Sequence, residues 1–452
     1  MPAGPRKAIY SSERIDGRLW AYLFVRVGTV AELNKEMSAS QFGMRARLAF
    51  REIRKTPTAL RNQILLDAAA ELEQPRVQQE LLEANEKDLK QADELGISEA
   101  LKERLTLTTS RIQSMADSLR EIAAFPDPVG EVILGRTLPN GVKMVQKRVP
   151  LGVVFTVYES RPNVTIDVGA LCIKSGNAAI LRGGKEAIHS NIALHTILAA
   201  AVERHGLSRD CLQFVNETDR QFMFDLLKQS DTIDLVVPRG GAGLIQAVSE
   251  NTSIPVVKHD KGVCNLFIDS SAPLNRASDI AINAKLQRPS VCNAIENLLI
   301  HSDFPHAAAL LDRLKSAGAI LLGCERTRKL FSEAAPIEDP ETEYSTEYLD
   351  QRLAVKIVDS VDEAIQFIDQ YGSGHSEAII SDSHEAIVQF RDSVDTAAVL
   401  VNCSTRFHDG GQMGMGAEVG ISTGRMHVRG PMGVRDLTTT TYVLEGEGQV
   451  RG

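Results

Sequence analysis

The spacing of apolar residues predicts helices over residues 38–125. Apolar side chains recur at intervals of three and four from Leu60 to Leu72, and again from Ile112 to Ile122. That interval is the period of an amphipathic helix, which buries one stripe of its surface. Pro126 then ends the pattern, so the helical segment is expected to stop just before it.

A different pattern occupies residues 131–148. Apolar and polar positions alternate on either side of Pro139-Asn140-Gly141. Asn-Gly between two alternating runs is the strongest short-range signal for a β-hairpin. We therefore predict a protruding β-ribbon here, and because such a ribbon has few partners of its own, it is a candidate for pairing between subunits.

From Pro150 onward, short runs rich in β-branched residues alternate with helical patterns. The predicted strands cover residues 153–158, 178–181, 212–215 and 233–237, with a further one at Val256. A helix over 191–205 fits between them, with Ser190 as its cap and Gly206 at its end. Helices over 307–316, 361–371 and 384–394 continue the alternation. Regular alternation of strand and helix predicts parallel α/β sheets, here two lobes, with ligands at the carboxyl ends of the strands.

A cysteine lies where the two predicted lobes meet. Cys292 stands between a basic, proline-stiffened approach that includes Arg288 and a run over 295–301 that is expected to begin regular structure. A nearby cation and free backbone N–H groups favour the thiolate, which is the nucleophilic form. The alternative is a small buried hydrophobic residue, as most lone cysteines are. The local sequence leaves both interpretations open.

Composition and charge narrow the classes of partner. The chain has 452 residues, is 43% hydrophobic and carries a formal net charge of −9. It is long enough to bury a large core in two or three domains. An acidic chain is a poor match for nucleic acid or an anionic membrane, since both need a basic surface. Six cysteines without a C-x-x-C pair give neither a zinc spacing nor a disulfide framework, so no metal is predicted and a reducing, cytoplasmic location is expected.

The two ends of the chain are predicted to lie outside the folded core. Residues 1–36 differ in texture from the rest of the chain and are expected to form a disordered extension. Their apolar run from Leu19 stops at Arg26, which is too short for a membrane helix and too interrupted by charge for a signal peptide. Residues 447–452 are expected to be flexible.

Two predicted strand-to-helix turns combine glycines with cations. The first contains Arg182, Gly183, Gly184 and Lys185, and the second contains Arg239, Gly240 and Gly241. Glycines let the backbone approach a phosphate, and a helix N-terminus supplies partial positive charge. Neither turn has the usual dinucleotide or P-loop spacing. Each is therefore either a phosphate site or simply a tight connection.

Asn163 comes after a predicted strand and precedes a helical run. An asparagine in that place is usually a helix cap. The alternative is that its amide faces an oxyanion beside Cys292.

Several long sequence motifs resemble those of the γ-glutamyl phosphate reductase family of the aldehyde dehydrogenase superfamily, and they occur in the same order. They run from about Met37 to about Tyr442 and lie at residues 149–154, 158–165, 180–191, around 292, and at 402–411, 414–422, 427–433 and 437–439. The resemblance implies an aldehyde-dehydrogenase-like fold with a Rossmann-like cofactor domain, a catalytic domain and an oligomerisation arm. It divides the chain into a cofactor domain (37–126 and 149–261), a catalytic domain (262–425), and a ribbon and tail (127–148 and 426–446).

The resemblance also implies a reaction. The family reduces L-glutamate 5-phosphate with NADPH to glutamate 5-semialdehyde and phosphate, a step of proline biosynthesis. By this resemblance Cys292 is the nucleophile that forms a thioester, and Asn163 with the backbone N–H of Cys292 stabilises the oxyanion. A homo-oligomer and a separate glutamate 5-kinase, loosely associated, are expected as partners.

One missing residue separates this reaction from hydrolysis. Hydrolytic members of the superfamily carry a glutamate that activates water against the thioester. The matching stretch here, residues 255–265, has no glutamate. His259 in that stretch is structural by default. The absence favours phosphate-linked chemistry over a hydrolytic semialdehyde dehydrogenase, and the presence of Cys292 and Asn163 counts against a silent nucleotide-binding or scaffold protein.

The resemblance also assigns ligand-binding residues. Arg182 and Lys185 occupy places where many NAD-dependent relatives have a lysine and a glutamate, and two cations suit the 2′-phosphate of NADP. Glu347 matches the glutamate that holds the nicotinamide ribose, with surface charge as the alternative. Arg288 and Arg406 are nominated for the anionic groups of the substrate and Glu418 for its ammonium, with structural ion pairs as the alternative.

Overall fold

The structure is a computed structural model that describes residues 37–257 and 261–451. The predicted disorder of residues 1–36 and the role of His259 lie outside the described residues. Among the helices of these two ranges, none combines the length and the apolar composition needed to cross a bilayer.

Helices form the first part of the described chain, as the apolar spacing predicts. Helices α1 to α5 cover Ala39–Ile53, Thr58–Leu72, Pro75–Glu94, Glu99–Leu105 and Thr109–Ala124. A capping box begins α1, with the Ser38 hydroxyl accepting from the Gln41 N–H and the Gln41 side chain accepting from the Ser38 N–H. The stripe of α2 that includes Ile64, Leu65 and Leu72 is fully buried. These helices therefore contribute one wall of the first lobe.

The first lobe is built on a parallel four-stranded sheet with the order β5-β4-β3-β6. Its strands are β3 (Val153–Tyr158), β4 (Ala178–Gly183), β5 (Leu212–Phe214) and β6 (Leu235–Arg239), and the helices are α6 (Asn163–Lys174), α7 (Ile188–Arg204), α8 (Arg220–Leu227) and α9 (Ala242–Glu250). Every residue of β3 and β4 is buried. This continuous burial is typical of a central parallel sheet covered on both faces.

The predicted start of α7 is wrong. The helix begins at Ile188, so Ser190 lies in its first turn and does not cap it. The backbone N–H groups of His189 and Ser190 instead donate to the buried carboxylate of Asp88 on α3, at 3.0 and 2.7 Å. A carboxylate from another helix thus satisfies the first N–H groups and favours the positive end of the helix dipole.

The second lobe contains a parallel seven-stranded sheet with the order β10-β9-β11-β8-β7-β12-β13. Its strands are β7 (Cys264–Ile268), β8 (Ile295–His301), β9 (Ile320–Gly323), β10 (Ala335–Pro336), β11 (Arg352–Val358), β12 (Ser376–Ile380) and β13 (Ala398–Val401). The helices are α10 (Leu274–Leu286), α11 (Ala307–Ser316), α12 (Glu325–Leu330), α13 (Pro340–Tyr344), α14 (Val361–Tyr371) and α15 (His384–Ser393). The predictions for α11 and α14 are confirmed to the residue, and α15 ends one residue earlier than predicted.

The predicted ribbon is an antiparallel three-stranded sheet. It comprises β1 (Val132–Thr137), β2 (Lys143–Pro150) and β16 (Thr438–Glu445), with β2 in the middle. Gly141 turns the hairpin with a φ of +88°, a conformation that favours glycine. A short pair, β14 (Ile421–Ser422) with β15 (Gly430–Pro431), lies earlier in the same C-terminal stretch. Two parallel α/β sheets and a ribbon confirm the predicted fold class.

Candidate active site

Two adjoining cavities of about 520 and 510 Å³ lie between the lobes. They share a wall that includes Arg104, Arg161, Arg239 and Arg288. Arg161 and Arg239 come from the carboxyl ends of β3 and β6, where parallel sheets place ligands. The first cavity contains Cys292 and the second contains Asn163.

Cys292 lies in the loop between α10 and β8, is partly buried, and lines the first cavity. The Cys264 thiol donates to the Cys292 carbonyl at 3.1 Å. Burial raises the pKa of Cys264 well above its usual range, so it stays protonated and remains a donor. A Cβ on Gly262 would collide with the Cys292 backbone and lie 2.8 Å from a Glu347 carboxylate oxygen. Glu347 is thereby placed in the same cavity, directly beside the loop that carries Cys292.

Residues 405–408 hold the loop that carries Cys292 through contacts with Asn293. Thr405 donates to the Asn293 carbonyl at 2.6 Å, and the Asn293 amide donates to the His408 carbonyl at 3.0 Å. Arg406 donates to the Asn293 side chain and, at 2.8 Å, to Gln287. These contacts restrict the backbone next to Cys292, which is how a reactive side chain is kept in one position.

Asn163 is the first residue of α6 and is exposed to the second cavity. Its amide N–H donates to Asp167 at 2.9 Å, one turn further along the helix. Ser118 donates to the other oxygen of Asp167, at 3.1 Å. The amide therefore faces the helix in this structure, and an oxyanion role requires it to turn from Asp167 toward Cys292.

The first glycine turn is tightly packed by the protein's own side chains. A Cβ on Gly183 would collide with Asn191, and one on Gly184 would collide with the Glu186 carboxylate. Arg182 is buried and donates to the carbonyls of Thr218 and Asp219 at 3.1 and 3.0 Å. Lys185 is exposed. Of the two nominated cations, Arg182 thus orders the loop after β5 and Lys185 presents its charge to solvent.

The second glycine turn begins α9 and carries an acidic partner. The Gly241 N–H donates to the Glu159 carboxylate at 2.9 Å, and a Cβ on Gly240 would lie 2.5 Å from the same carboxylate. Arg239 points into the shared wall of the two cavities. The turn therefore joins the ends of β3 and β6, and it places Arg239 in the wall of the cavity that contains Cys292.

The nominated substrate residues all line the cavities. Arg288 is half exposed and lies 3.9 Å from Glu103. Burial lowers the pKa of Arg406, and the Asp409 carboxylate opposes this lowering. Burial raises the pKa of Glu418, which Arg239 opposes, and its carboxylate accepts the Gly410 N–H at 2.9 Å. The structure thus places cations and a carboxyl group on the walls of the same cavities.

Sequence reasoning missed two arginines of this site. Arg161 and Arg104 line both cavities. Arg104 comes from α4 and donates to the Ser290 carbonyl at 2.6 Å. Burial, followed by repulsion from Arg239 and Arg104, lowers the pKa of Arg161 to about 10. Arg161 belongs to the motif at residues 158–165 that also contains Asn163, so the sequence offered a signal for it. No local signal marks Arg104.

The residues present fit a nicotinamide cofactor. The glycine at 262 leaves open the space between the Cys292 backbone and Glu347, and Lys185 is exposed at the end of β4. Arg220 adds an exposed cation close enough to Arg182 to lower its pKa. Across the two described ranges, no group of three histidine, cysteine or acidic residues is placed to hold a metal ion.

Comparison with known proteins identifies relatives over nearly the whole chain. Residues 25–321 match the model of the aldehyde dehydrogenase family. A γ-glutamyl phosphate reductase of Leptospira interrogans is 51% identical over 90% of this chain and 97% of its own, and one of Aquifex aeolicus is 47% identical over 90% and 95%. The crystal structure of γ-glutamyl phosphate reductase from Thermotoga maritima has a TM-score of 0.87 and 39% identity, covering 92% of this chain and all of the other.

Proposed function

Because this chain belongs to the γ-glutamyl phosphate reductases of the aldehyde dehydrogenase family, we propose that it reduces L-glutamate 5-phosphate to L-glutamate 5-semialdehyde and phosphate, the second step of proline biosynthesis from glutamate. The observation that carries the proposal is Cys292 in a cavity walled by arginines. A thiolate beside cations suits a substrate that is an activated, phosphorylated acid.

The chemistry begins at the sulfur of Cys292. Its thiolate attacks the acyl carbon, the carbon–oxygen bond to phosphate breaks, and phosphate leaves with the bonding electrons and takes up one proton. The acyl group is then held as a thioester on the sulfur. Asn163, once turned from Asp167, donates to the acyl oxygen as it becomes anionic. The loop contacts through Asn293 and Cys264 keep the sulfur in place during both steps.

A bound NADPH would supply a hydride for the thioester carbon, and Cys292 would leave that carbon as its thiolate when the carbon–sulfur bond breaks. Glu347 is the residue we assign to the nicotinamide ribose, and the turns at Gly183, Gly184, Gly240 and Gly241 to the approach of the cofactor backbone. The lobe built on β3 to β6 is accordingly the cofactor domain, and the lobe built on β7 to β13 is the catalytic domain.

A reverse-direction assay tests the reaction. The protein is given glutamate 5-semialdehyde and NADP, with and without inorganic phosphate, and NADPH is followed by absorbance. Turnover is expected only with phosphate, because the thioester needs an oxygen nucleophile and residues 255–265 contain no glutamate to activate water. Equal turnover without phosphate would identify a hydrolytic semialdehyde dehydrogenase and reject the proposal.

A charge reversal at Lys185 tests the preference for NADPH over NADH. Lys185→Glu is expected to lower kcat/KM for NADPH about 10- to 100-fold and to change the value for NADH less than about threefold. The reason is that a carboxylate repels the 2′-phosphate, which only NADPH carries. Lys228→Glu, another exposed lysine of the same lobe, is the matched control. Equal losses with both cofactors would contradict the assignment.

The remaining proposals concern assembly and location. We assign the ribbon and the C-terminal strand β16 to contacts between copies of the chain. We also propose that a separate glutamate 5-kinase supplies the acyl phosphate, and that loose association with it shortens the path of a hydrolysable intermediate. Proline biosynthesis from glutamate and six free cysteines among the described residues support a location in the cytoplasm.

A further inference from the structure

We propose that Arg161 binds the phosphate group of the substrate while Cys292 attacks the adjoining acyl carbon. The inference rests on the proposed function and names a residue that it had not assigned. Arg161 would hold the phosphate both as part of the acyl phosphate and as the departing product. Three observations support it: how the residue is held, which charges surround it, and what the other arginines contact.

A strained turn holds Arg161 in the cavity. Ser160, directly before it, has a φ of +40°, a conformation that costs a non-glycine residue energy and persists where the surroundings enforce it. The Ser160 N–H and hydroxyl both donate to one oxygen of the buried Glu186 carboxylate, at 2.7 and 2.9 Å. On the other side, Glu159 accepts the Gly241 N–H at 2.9 Å. Both glycine turns therefore anchor the backbone that presents Arg161.

The charges around Arg161 call for an anion. Arg239, Arg104 and Arg288 repel it, and of the groups that act on it most strongly, Cys292 is the one that favours its charged form. A partly buried guanidinium among like charges is unfavourable until an anion joins it. A phosphate dianion supplies two charges and accepts paired hydrogen bonds from the guanidinium fork.

Three of the other arginines near Cys292 already have protein partners. Arg104 donates to Ser290, Arg406 donates to Gln287 and Asn293, and Arg288 lies 3.9 Å from Glu103. Within residues 37–257 and 261–451, the structure records no hydrogen bond or ion pair for the Arg161 guanidinium. Arg239 has no recorded partner there either, but it lies close enough to the Glu418 carboxylate to oppose the rise of that group's pKa. No carboxylate is among the groups that act most strongly on Arg161, so its donors are available to a ligand.

The geometry of the substrate selects its phosphate over its α-carboxylate. The phosphate is joined through one oxygen to the carbon that Cys292 attacks, whereas four carbon–carbon bonds separate that carbon from the α-carboxylate carbon. Arg161 and Cys292 line the same cavity, and the phosphate is the anionic group nearest to the attacked carbon, so we assign the phosphate to Arg161. Arg288 and Arg406 remain the candidates for the carboxylate.

The test uses the full chain in the reverse direction, with inorganic phosphate as the probe. Arg161→Gln is expected to raise the KM for phosphate at least about tenfold while the KM values for the semialdehyde and for NADP change less than about twofold. Arg161→Lys, which keeps the charge but loses the fork, should fall between the wild type and Arg161→Gln. Arg276→Gln, which removes an exposed arginine paired with Asp382, is the control and should leave all three KM values unchanged.

Two results would overturn the inference. One is an unchanged KM for phosphate in Arg161→Gln. The other is a rise in the KM for the semialdehyde alone, which would place the carboxylate at Arg161. If Arg161→Gln does not fold, Arg161→Lys and the rise in melting temperature with added phosphate decide: the rise must be smaller in the variant, and an equal rise rejects the inference.

The wild type separates this inference from the proposed function. If wild-type turnover does not depend on phosphate, the proposed reaction fails whatever the variants do. If it does depend on phosphate and Arg161→Gln behaves like the wild type, the reaction stands and the assignment of Arg161 is rejected.

Discussion

Cys292 differs in its surroundings from the three fully buried cysteines. Cys172, Cys211 and Cys264 are fully buried, and burial raises the pKa of each thiol. Cys292 is partly exposed to a cavity whose wall carries several arginines. Since the thiolate is the reactive form, the difference lies in solvation and neighbouring charge and is not a property of cysteine itself.

Replacing Cys292 tests the role of its sulfur. Cys292→Ala is expected to lower kcat by roughly a thousandfold or more, because no thioester can form without the nucleophile. Cys324→Ala, which changes a partly buried cysteine of α12's N-terminus, should keep near wild-type kcat. Initial rates of NADPH formation measure both, with melting temperatures to show that both variants fold. Substantial activity in Cys292→Ala would remove Cys292 from the mechanism.

The buried residue His195 is expected to make the free energy of unfolding depend on pH. It lies on α7 with its ring nitrogen 2.8 Å from the Leu212 carbonyl, and burial lowers its pKa to about 4 from 6.5. Between these values the unfolded chain binds a proton that the folded chain does not, so stability falls as pH is lowered from 6.5 to about 4. The loss at this site approaches about 3 kcal/mol.

Urea unfolding at pH 7 and at pH 4.5 measures this loss. The wild type is expected to lose more stability than His195→Gln, because glutamine keeps a hydrogen-bond donor but does not titrate. Equal losses in the two proteins would show that His195 is not the group responsible.

At the scale of elements, one glycine sets how β3 begins. Gly152 has a φ of +146°, and a Cβ there would collide with the Asp234 carboxylate. That carboxylate accepts the Val153 N–H at 2.7 Å, and Asn177 accepts the Gly152 N–H at 2.8 Å. The side chains of Asp234 and Asn177 thus replace strand partners where β3 begins, and Asp234 fits only beside a residue without a side chain.

Gly152→Ala is therefore expected to destabilise the protein by about 1–3 kcal/mol. Gly243→Ala is the matched control, since nothing lies within 4 Å of the added Cβ and alanine favours the helix α9. Thermal unfolding of both variants should show a lower melting temperature for Gly152→Ala alone. A Gly152→Ala protein as stable as the wild type would mean that Asp234 can move at no cost.

Local sequence determines some helix ends, and distant residues determine others. The start of α14 is set by a residue next to it, because the Ser360 hydroxyl accepts the Glu363 N–H. The start of α7 depends on Asp88, about a hundred residues earlier. In the site, Cys292 and Arg161 stand in recognisable motifs, whereas Arg104 reaches the cavity from a helix that no motif marks. Contacts of this kind are set by tertiary packing, which spacing and composition do not record.

The ribbon formed by β1, β2 and β16 has an exposed apolar surface. Val132, Ile133 and Leu134 of β1 are 57%, 46% and 44% exposed, and Tyr442 and Leu444 of β16 are each 57% exposed. Both strands are edges of a three-stranded sheet, so their outer backbone groups are open to a further strand. An exposed apolar edge either aggregates or pairs with a partner.

The last prediction concerns this surface. Leu134→Lys with Leu444→Lys should convert an oligomer into a smaller species, because lysines on the ribbon make burial between copies unfavourable. Leu66→Lys with Leu330→Lys, two exposed leucines on helices, is the control and should not alter assembly. Light scattering after size exclusion gives the masses. An unchanged mass in the ribbon variant would show that the copies meet through another surface, and a monomeric wild type would show that the ribbon serves a different partner.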